Sequence, residues 1–223
     1  MKQYNKKIKL AFHVHTCWSK DSLSEPADIV KHCRENGIGV IAICDHNEIG
    51  GALEVEKLAK GNPKVIIGEE IKTEKGEIIG LFLKEKISKD MSIDEAIKEI
   101  RRQGGLVCIP HPGESFRRSA TSKRDVINII EKIDIIETPN SRTLLGQDNR
   151  WAERVARKYN RATVAGSDAH NLSEIDCALV EMNQFFGKEN FIRRLGDDGY
   201  RVVSISKTNI FRQLISIFVR IFS

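Results

Sequence analysis

The sequence lacks the features that mark a membrane or a secreted protein. It has no apolar run of the roughly 18 residues that a spanning helix needs, and the basic start from Met1 to Lys7 is not followed by the apolar segment of a secretory signal. The five cysteines are an odd number, and no two of them form a CxxC pair. Reduced thiols in a cytoplasmic protein are therefore expected.

The sequence also has little excess charge of either sign. The net charge is +5, and Lys207, Arg212 and Arg220 contribute three of these charges after Val203. The remaining basic residues are scattered, which argues against a stable complex with duplex nucleic acid. A length of 223 residues with 40% hydrophobic and 30% charged residues is typical of one globular domain.

Short apolar runs alternate with helical patterns along most of the chain. Gly39–Cys44 is typical of a strand buried on both faces, and Ser92 with Glu95 forms a capping box at the start of a helix. Repeated β-then-α segments favour parallel strands with helices outside. We therefore predict an α/β fold, a distorted (β/α)7 TIM-like barrel, in a single domain over residues 1–206. The third strand is predicted at Val65–Ile67, and the fourth begins at Glu77.

Residues 207–223 form a separate segment that is predicted to be an amphipathic basic helix. Its apolar residues recur at helical spacing, with Arg212 and Arg220 on the other side; they are Ile210, Phe211, Leu214, Ile215, Phe218 and Phe222. Docking on the barrel is one interpretation. Weak contact with a membrane surface or self-association is the other, and the sequence leaves both open.

Two histidines end the first predicted strand, at His13 and His15. Residues i and i+2 of a strand point to the same face, so both imidazoles can reach one metal ion. Cys17 follows closely and is a weaker candidate ligand.

Further reactive side chains follow the other predicted strands. They are Asp45, His46, Glu69, Glu70, His111, Glu137, Arg142, Asp168 and His170. In a barrel this places them at the carboxyl-terminal face, where active sites are built. A mixture of imidazole and carboxylate ligands suits Zn²⁺, Mn²⁺ or Fe²⁺ better than Mg²⁺ or Ca²⁺.

Four segments place these side chains in a recognisable order along the chain: His13-Val14-His15-Thr16, Cys44-Asp45-His46-Asn47, Pro110-His111-Pro112 and Ser167-Asp168-Ala169-His170. Together they resemble the PHP (polymerase and histidinol phosphatase) family of metal-dependent phosphoesterases. The resemblance implies a distorted seven-stranded barrel and a cluster of three divalent metal ions.

The resemblance also implies a set of ligands for each ion. The first ion would be held by His13, His15, Glu70 and Asp168; the second by Glu70, His111 and Glu77; and the third by Asp21, His46 and His170. Two positions differ from the family's pattern. Ala11 stands where an acid is usual, which we expect to remove a group that orients His13 or His15. Glu77 stands where many members have histidine, which makes the second site more anionic.

The expected chemistry is hydrolysis of a phosphate ester. Neighbouring metal ions can generate a hydroxide that attacks phosphorus, so no serine or cysteine nucleophile is required. The substrate is expected to be a small phosphorylated metabolite, a nucleotide or a short oligonucleotide. Asp45 is the candidate to orient a ligand or carry a proton, and Arg142 with Arg118, or its neighbour Arg117, is the candidate to contact the phosphate. Glu137 is expected behind the ligands.

Two other functions remain open at this point. Amidohydrolase barrels also begin with an HxH strand, so hydrolysis of a C–N bond is one alternative, and a third site made by Asp21, His46 and His170 argues against it. The other alternative is a metal-binding module without catalysis, which the alanine at position 11 suggests.

Overall fold

The fold is built on one sheet of nine strands. The computed structural model describes residues 6–196 and 199–207. Strands β1 to β9 are, in chain order, Lys7–Val14, Ile38–His46, Lys64–Thr73, Gly76–Leu81, Leu106–Ile109, Ile135–Asn140, Ala162–Gly166, Ala178–Asn183 and Arg201–Ile205. Helices α1 to α6 are Pro26–Glu35, Gly50–Ala59, Ile93–Arg102, Lys123–Ile129, Gly146–Lys158 and Gly187–Leu195. Two short 3₁₀ helices, Ile130–Lys132 and Leu172–Cys177, follow α4 and β7.

The strands lie in the order β7-β6-β5-β4-β3-β2-β1-β8-β9. Strands β1, β2 and β3 are parallel to one another, and so are β5, β6 and β7. Strand β4 is antiparallel to both of its neighbours, because a tight turn joins it to β3 as a hairpin and leaves no room for a crossover helix. The prediction of parallel strands is therefore correct for the first seven except β4, while β8 and β9 add an antiparallel extension beside β1.

Backbone hydrogen bonds between the end of β1 and the segment after β7 bring the two sides of the sheet together. Ser167 N donates to Phe12 O at 2.9 Å, Ala169 N donates to His13 O at 3.1 Å, and His15 N donates to Ala169 O at 2.9 Å. The result is a nearly closed barrel, which confirms the predicted α/β barrel in a single domain.

Alternation along β1 and β2 separates two apolar layers. Leu10, Phe12 and Val40 belong to one buried cluster, whereas Ala11 and Ile41 belong to another, packed against α1 and α2. Burying one large apolar side chain of this kind stabilises the fold by about 1.5–3 kcal/mol. The capping box predicted at the start of α3 is present as well, with both of its hydrogen bonds formed.

Strand β3 is longer than predicted and carries two glutamates. It continues to Thr73 because it pairs with β2 as far as Glu70 and with β4 back to Gly76. Glu69 and Glu70 therefore lie inside the strand rather than after it, and alternation sends them to opposite faces. This is how Glu70 reaches the opening of the barrel.

The helix predicted over residues 207–223 lies outside the described residues, apart from Lys207. That helix and the domain boundary after residue 206 stay predictions. Among residues 6–196 and 199–207, no helix combines the length and the apolar character that crossing a bilayer requires.

Candidate metal centre

Nine side chains converge where the parallel strands end, and we call them the histidine–carboxylate cluster. They are His13, His15, Asp21, His46, Glu70, Glu77, His111, Asp168 and His170. All are buried except His46, whose side chain is 25% exposed. The sequence predicted each of them as a ligand. Glu77 reaches the same opening because β4 runs antiparallel and so begins at this end of the barrel.

Four atoms of this cluster face one another at the spacing of a metal shell. Nε2 of His13 lies 3.4 Å from Glu70 Oε2 and 3.8 Å from Asp168 Oδ1. Nε2 of His15 lies 3.5 Å and 3.4 Å from the same two oxygens. None of the four atoms has a hydrogen-bond partner in the part of the chain that the structure describes. Two ligands about 2.1 Å from a tetrahedral zinc ion are about 3.4 Å apart, and buried polar atoms without partners are costly, so these residues fit a divalent cation.

Glu70 links this group to a second one. Its Oε1 lies 3.0 Å from Nε2 of His111, while its Oε2 lies 3.1 Å from Nδ1 of His46. The Oε2 of Glu77 lies 3.9 Å from the same His111 nitrogen. The two oxygens of Glu70 thus face different donor sets, as the carboxylate of a bridging ligand would.

A third group lies at the rim of the cluster. Asp21 Oδ2 lies 3.5 Å from Nε2 of His46, and Asp21 Oδ1 lies 3.6 Å from Nε2 of His170. The ring of His15 lies close to both, with centroids 4.5 Å from His46 and 4.2 Å from His170. Burial, together with these two neighbouring imidazoles, lowers the pKa of His15 well below its usual value. His15 is therefore neutral at pH 7, which is the form that binds a metal ion.

Three residues of the cluster have a backbone in the left-handed region. The φ angles are 62° at His13, 27° at His111 and 51° at Asp168. This conformation is uncommon outside glycine and costs on the order of 1–3 kcal/mol at each residue. Packing around the cluster holds these side chains in place despite that cost.

A buried glutamate supports two of the histidines from behind. Glu137 Oε1 lies 2.9 Å from Nδ1 of His13, and Glu137 Oε2 accepts a hydrogen bond from the backbone N–H of His111 at 2.7 Å. Gly166 makes room for it, because a Cβ there would lie 1.6 Å from Glu137 Oε1. His13 therefore has an orienting acid although Ala11 lacks one. Ala11 packs in the helix-side layer, and the expectation that its lack of an acid weakens or reorients His13 or His15 stays a prediction.

Asp45 braces the loop that follows His15. It accepts hydrogen bonds from Thr16 N at 2.7 Å, from Thr16 Oγ1 at 2.8 Å and from Ser19 Oγ at 2.8 Å. Ser19 Oγ also lies 3.0 Å from Nδ1 of His15. Burial raises the pKa of Asp45 to about 6, against the opposing effect of these hydrogen bonds. The contacts support the predicted orienting role, whereas a proton-carrying role has no contact of its own here.

The arginines differ in their positions. Arg117 Nη1 lies 2.7 Å from Asp168 Oδ2. Burial alone would raise the pKa of Asp168, but the Arg117 guanidinium holds it well below its usual value. Arg142 is buried beside the rim, where Nη1 donates to Asp168 O at 3.2 Å and lies 2.6 Å from Nδ1 of His170. Arg118, the residue preferred from the sequence, is exposed and makes no ion pair among the described residues.

Sequence reasoning missed the partners of these groups. Glu174 accepts a hydrogen bond from His170 N at 2.8 Å, and Glu114 pairs with Arg117 at 3.0 Å. Glu174 lies four residues after His170, and Glu114 lies three residues before Arg117. These short separations were the sequence signal that could have identified the two partners. Cys17 is exposed, and its Sγ lies 3.5 Å from a Glu25 carboxylate oxygen rather than in the cluster.

Several known proteins are similar to this chain in sequence or in fold. A protein of Methanocaldococcus jannaschii, called uncharacterized, is 37% identical over 180 residues, which are 79% of this chain and 71% of that protein. Among solved structures, a two-domain protein of Bacteroides vulgatus containing a predicted PHP-like metal-dependent phosphoesterase has a TM-score of 0.71 at 18% identity. The match covers 92% of this chain and 66% of the other, so this chain spans just under two thirds of that protein.

A second solved structure shares the fold under a different name. An amidohydrolase from Chromobacterium violaceum, with bound sulfate and no metal, has a TM-score of 0.61 at 15% identity and covers 73% of this chain and 87% of its own. At these identities both structural matches show the fold alone. A family model described as PHP domain matches residues 11–197. The chain therefore belongs to the PHP domain family.

Proposed function

We propose that this chain is a metal-dependent phosphoesterase that hydrolyses a phosphate ester of a small metabolite or nucleotide. The observation that carries the proposal is the group of four facing atoms on His13, His15, Glu70 and Asp168, buried and without hydrogen-bond partners among the described residues. Membership of the PHP domain family supports the same conclusion.

The residues fit three ion sites. The first set is His13, His15, Glu70 and Asp168; the second is Glu70, His111 and Glu77; the third is Asp21, His46 and His170. The mixture of imidazoles and carboxylates favours Zn²⁺, Mn²⁺ or Fe²⁺. Bound divalent ions supply an acidified water at neutral pH and offset the negative charge of a phosphate.

The side chains around these sets position ligands and substrate. Glu137 holds the ring of His13, and Asp45 holds the loop that presents His15. Arg117 is the proposed phosphate contact, because its guanidinium reaches the Asp168 carboxylate and can fork onto two phosphate oxygens. Arg142 supports the ring of His170 from inside the protein.

Hydrolysis of a C–N bond is the second candidate, since the fold is shared with a protein called an amidohydrolase. Two features favour the phosphate ester. The rim group of Asp21, His46 and His170 adds a third donor set, and the Arg117 guanidinium beside Asp168 suits an anionic substrate better than a neutral amide.

The test combines metal analysis with a panel of phosphate esters and amides. We expect purified protein to retain divalent metal and to hydrolyse p-nitrophenyl phosphate. His13→Ala and Asp168→Ala should abolish hydrolysis and lower the metal content, because the third set of ligands contains neither residue. His32→Ala is the matched control, because His32 lies on α1 and pairs with Asp176 at 3.0 Å, away from the cluster. Turnover of amides alone would establish the second candidate. Retained metal with no turnover of either panel would indicate a binding module.

A further inference from the structure

Four large apolar side chains are exposed around the end of β9, at the same end of the barrel as the histidine–carboxylate cluster. We call this group the β9 rim; its members are 57%, 69%, 38% and 49% exposed and are Leu23, Phe116, Leu144 and Ile205, in that order. Strand β9 ends here because it is antiparallel to β8, which is itself antiparallel to β1. Exposed apolar side chains that gather in one place mark an interaction surface, whereas single scattered ones do not.

Hydrogen bonds bring the segments of the β9 rim together. The N–H of Leu144 donates to Glu114 Oε1 at 3.3 Å, two residues before Phe116. The Nζ of Lys207 donates to Leu144 O at 2.8 Å, two residues after Ile205. Three members of the rim, from three separate parts of the chain, therefore lie on one side of the barrel.

Leu23 joins this side through the segment that follows β7. Its N–H donates to His170 O at 3.0 Å. The 3₁₀ helix Leu172–Cys177 comes next, and its last carbonyl accepts a hydrogen bond from Ser206 N at 2.8 Å. The rim thus borders the cluster on the side of β9.

The segments that carry the β9 rim expose more positive than negative charge. Within residues 15–25, 112–121, 141–145 and 205–207, the exposed charged side chains are Lys20, Arg118, Lys207 and Glu25. The acids Asp21 and Glu114 of the same segments are buried. An apolar surface framed by cations fits an anionic partner with an apolar interior.

The sequence that continues from this rim has a wide apolar arc. Residues 208–223 contain no acid. Projected at about 100° per residue, the spacing of an α-helix, their apolar side chains cover a continuous arc of about 200°, with Arg212, Ser216 and Arg220 opposite. A helix that packs on a globular domain needs a stripe of only roughly 100°. Docking on the barrel would leave much of this arc in water, whereas the surface of a bilayer accepts it.

We propose that the β9 rim and residues 208–223 together bind the surface of an anionic lipid bilayer. Their apolar side chains enter the boundary between headgroups and acyl chains, and their basic residues contact the anionic headgroups. The cleft beside His46, which Trp18 and Lys72 line, lies on the side of β2 and β3 and stays open to water. The histidine–carboxylate cluster is thereby held close to a membrane surface.

Sedimentation with vesicles tests the binding. The probes are vesicles of phosphatidylcholine alone and vesicles of equal parts phosphatidylglycerol and phosphatidylcholine, and the measured quantity is the partition coefficient of the full chain. We expect partition onto the anionic vesicles that weakens as salt is raised, because salt screens the headgroup charge. Absence of binding to both kinds of vesicle would overturn the proposal. Equal binding to both, without dependence on salt, would overturn the choice of an anionic surface.

Two phenylalanines test the two parts of the surface separately. Burial of one such side chain corresponds to about 10- to 150-fold in partition, so Phe218→Ser should weaken binding by that factor. Phe116→Ser should weaken it by about tenfold, since a side chain on the rim enters the bilayer only in part. Phe186→Ser is the matched control, because Phe186 is 66% exposed at the opposite end of the barrel and should leave binding unchanged. Loss of binding in Phe218→Ser with none in Phe116→Ser would show that the rim does not face the bilayer.

The arginines provide a second test that keeps every apolar side chain. Each basic residue near an anionic surface contributes about fivefold, so Arg212→Gln combined with Arg220→Gln should weaken binding to the anionic vesicles by about 30-fold. Binding to phosphatidylcholine vesicles should not change. Lys57→Gln removes an exposed lysine from α2, away from the rim, and should change neither quantity. Equal binding by the double variant and the parent would overturn the contact with anionic headgroups.

Measurements without lipid identify the other occupants of the rim. If residues 208–223 pack on the barrel, the parent binds no vesicles and Phe218→Ser lowers the free energy of unfolding. If a second copy covers the rim, light scattering shows a dimer that Phe218→Ser dissociates, again without vesicle binding. Either result would overturn the proposal. None of these measurements depends on turnover, so their outcome is independent of the proposed phosphoesterase activity.

Discussion

The two ends of the barrel each carry a lysine-rich cleft, and only one of them adjoins reactive side chains. The lower cleft lies where β1, β2 and β3 begin and has a volume of about 700 Å³. The upper cleft is lined in part by Asp21, His46 and Glu77 of the histidine–carboxylate cluster and has a volume of about 530 Å³. Its four lysines are Lys6, Lys7, Lys9 and Lys64. The histidine–carboxylate cluster therefore lies beside the smaller of the two clefts.

The lysines of the lower cleft already have structural partners. Lys7 donates to Gly199 O at 2.8 Å, and Lys9 donates to Asn36 O at 3.4 Å. Lys64 lies 4.4 Å from the centre of the Phe185 ring. These contacts stabilise chain ends and loops. The comparison teaches that a site is marked by donors that converge without partners, and that neither volume nor positive charge alone marks one.

The largest effect is expected at the upper end of the barrel, from a substitution that moves the residue supporting His13 and leaves every proposed ligand unchanged. Gly166→Ala places a methyl group where Glu137 Oε1 lies, so Glu137 must leave Nδ1 of His13. Losing such a supporting acid typically costs about 10- to 100-fold in metal affinity, and we expect a loss in that range from titration against a competing chelator. Gly196→Ala is the control, because the nearest atom to its Cβ would be 3.7 Å away. Unchanged affinity in Gly166→Ala would show that Glu137 does not orient His13.

A second prediction contrasts the two faces of β3. Glu69 points away from the cluster and accepts a hydrogen bond from Ile87 N at 2.9 Å. Burial raises its pKa to about 7 from a usual value of 4.5. The folded state therefore binds this proton more tightly than the unfolded state, so stability falls as the pH rises from about 4.5 to about 7 and is level above that.

Glu69→Gln should remove this loss of stability at higher pH, while the amide oxygen still accepts the hydrogen bond from Ile87 N. We expect the variant to be more stable than the parent at pH 8, by up to about 3 kcal/mol, and equal to it near pH 4.5, as measured by urea unfolding. Glu56→Gln, on the exposed side of α2, should follow the parent at both pH values. A Glu69→Gln variant with the parent's pH profile would refute the assignment.

The smallest effect is expected at the lower end. Lys64→Met keeps the apolar stem beside Phe185 and removes the charge. We expect no change in kcat/KM for a phosphate ester and a change in unfolding free energy within about 0.5 kcal/mol. A clear loss of activity would break the contrast between the two ends and make the lower cleft part of the functional surface.

The barrel and the members of the cluster could be predicted because their signals are local. The HxH pair, Asp45-His46, the histidine between two prolines and Asp168 with His170 each follow a short apolar run, and parallel strands bring such ends together. The antiparallel direction of β4 was harder to predict, because it depends on a hairpin turn within a sequence pattern that otherwise alternates between strands and helices.

Contacts between distant segments could not be predicted in the same way. The choice between Arg117 and Arg118 depends on the path of a loop, and only the folded chain shows Arg117 beside Asp168. The support of His13 by Glu137 joins residues 124 positions apart. Glu137 was expected behind the ligands, but the ligand that it contacts is set by the folded chain.

The hydrogen bonds that close the barrel also set when the site can exist during synthesis. The Ser167 hydroxyl lies 3.2 Å from His13 O across 154 positions of the chain, and Asp168 and His170 follow directly. A nascent chain on the ribosome carries the first two histidines long before it carries the last donors. The complete set of proposed ligands therefore exists only after residue 170 has been synthesised, and a chain that stops earlier lacks part of that set.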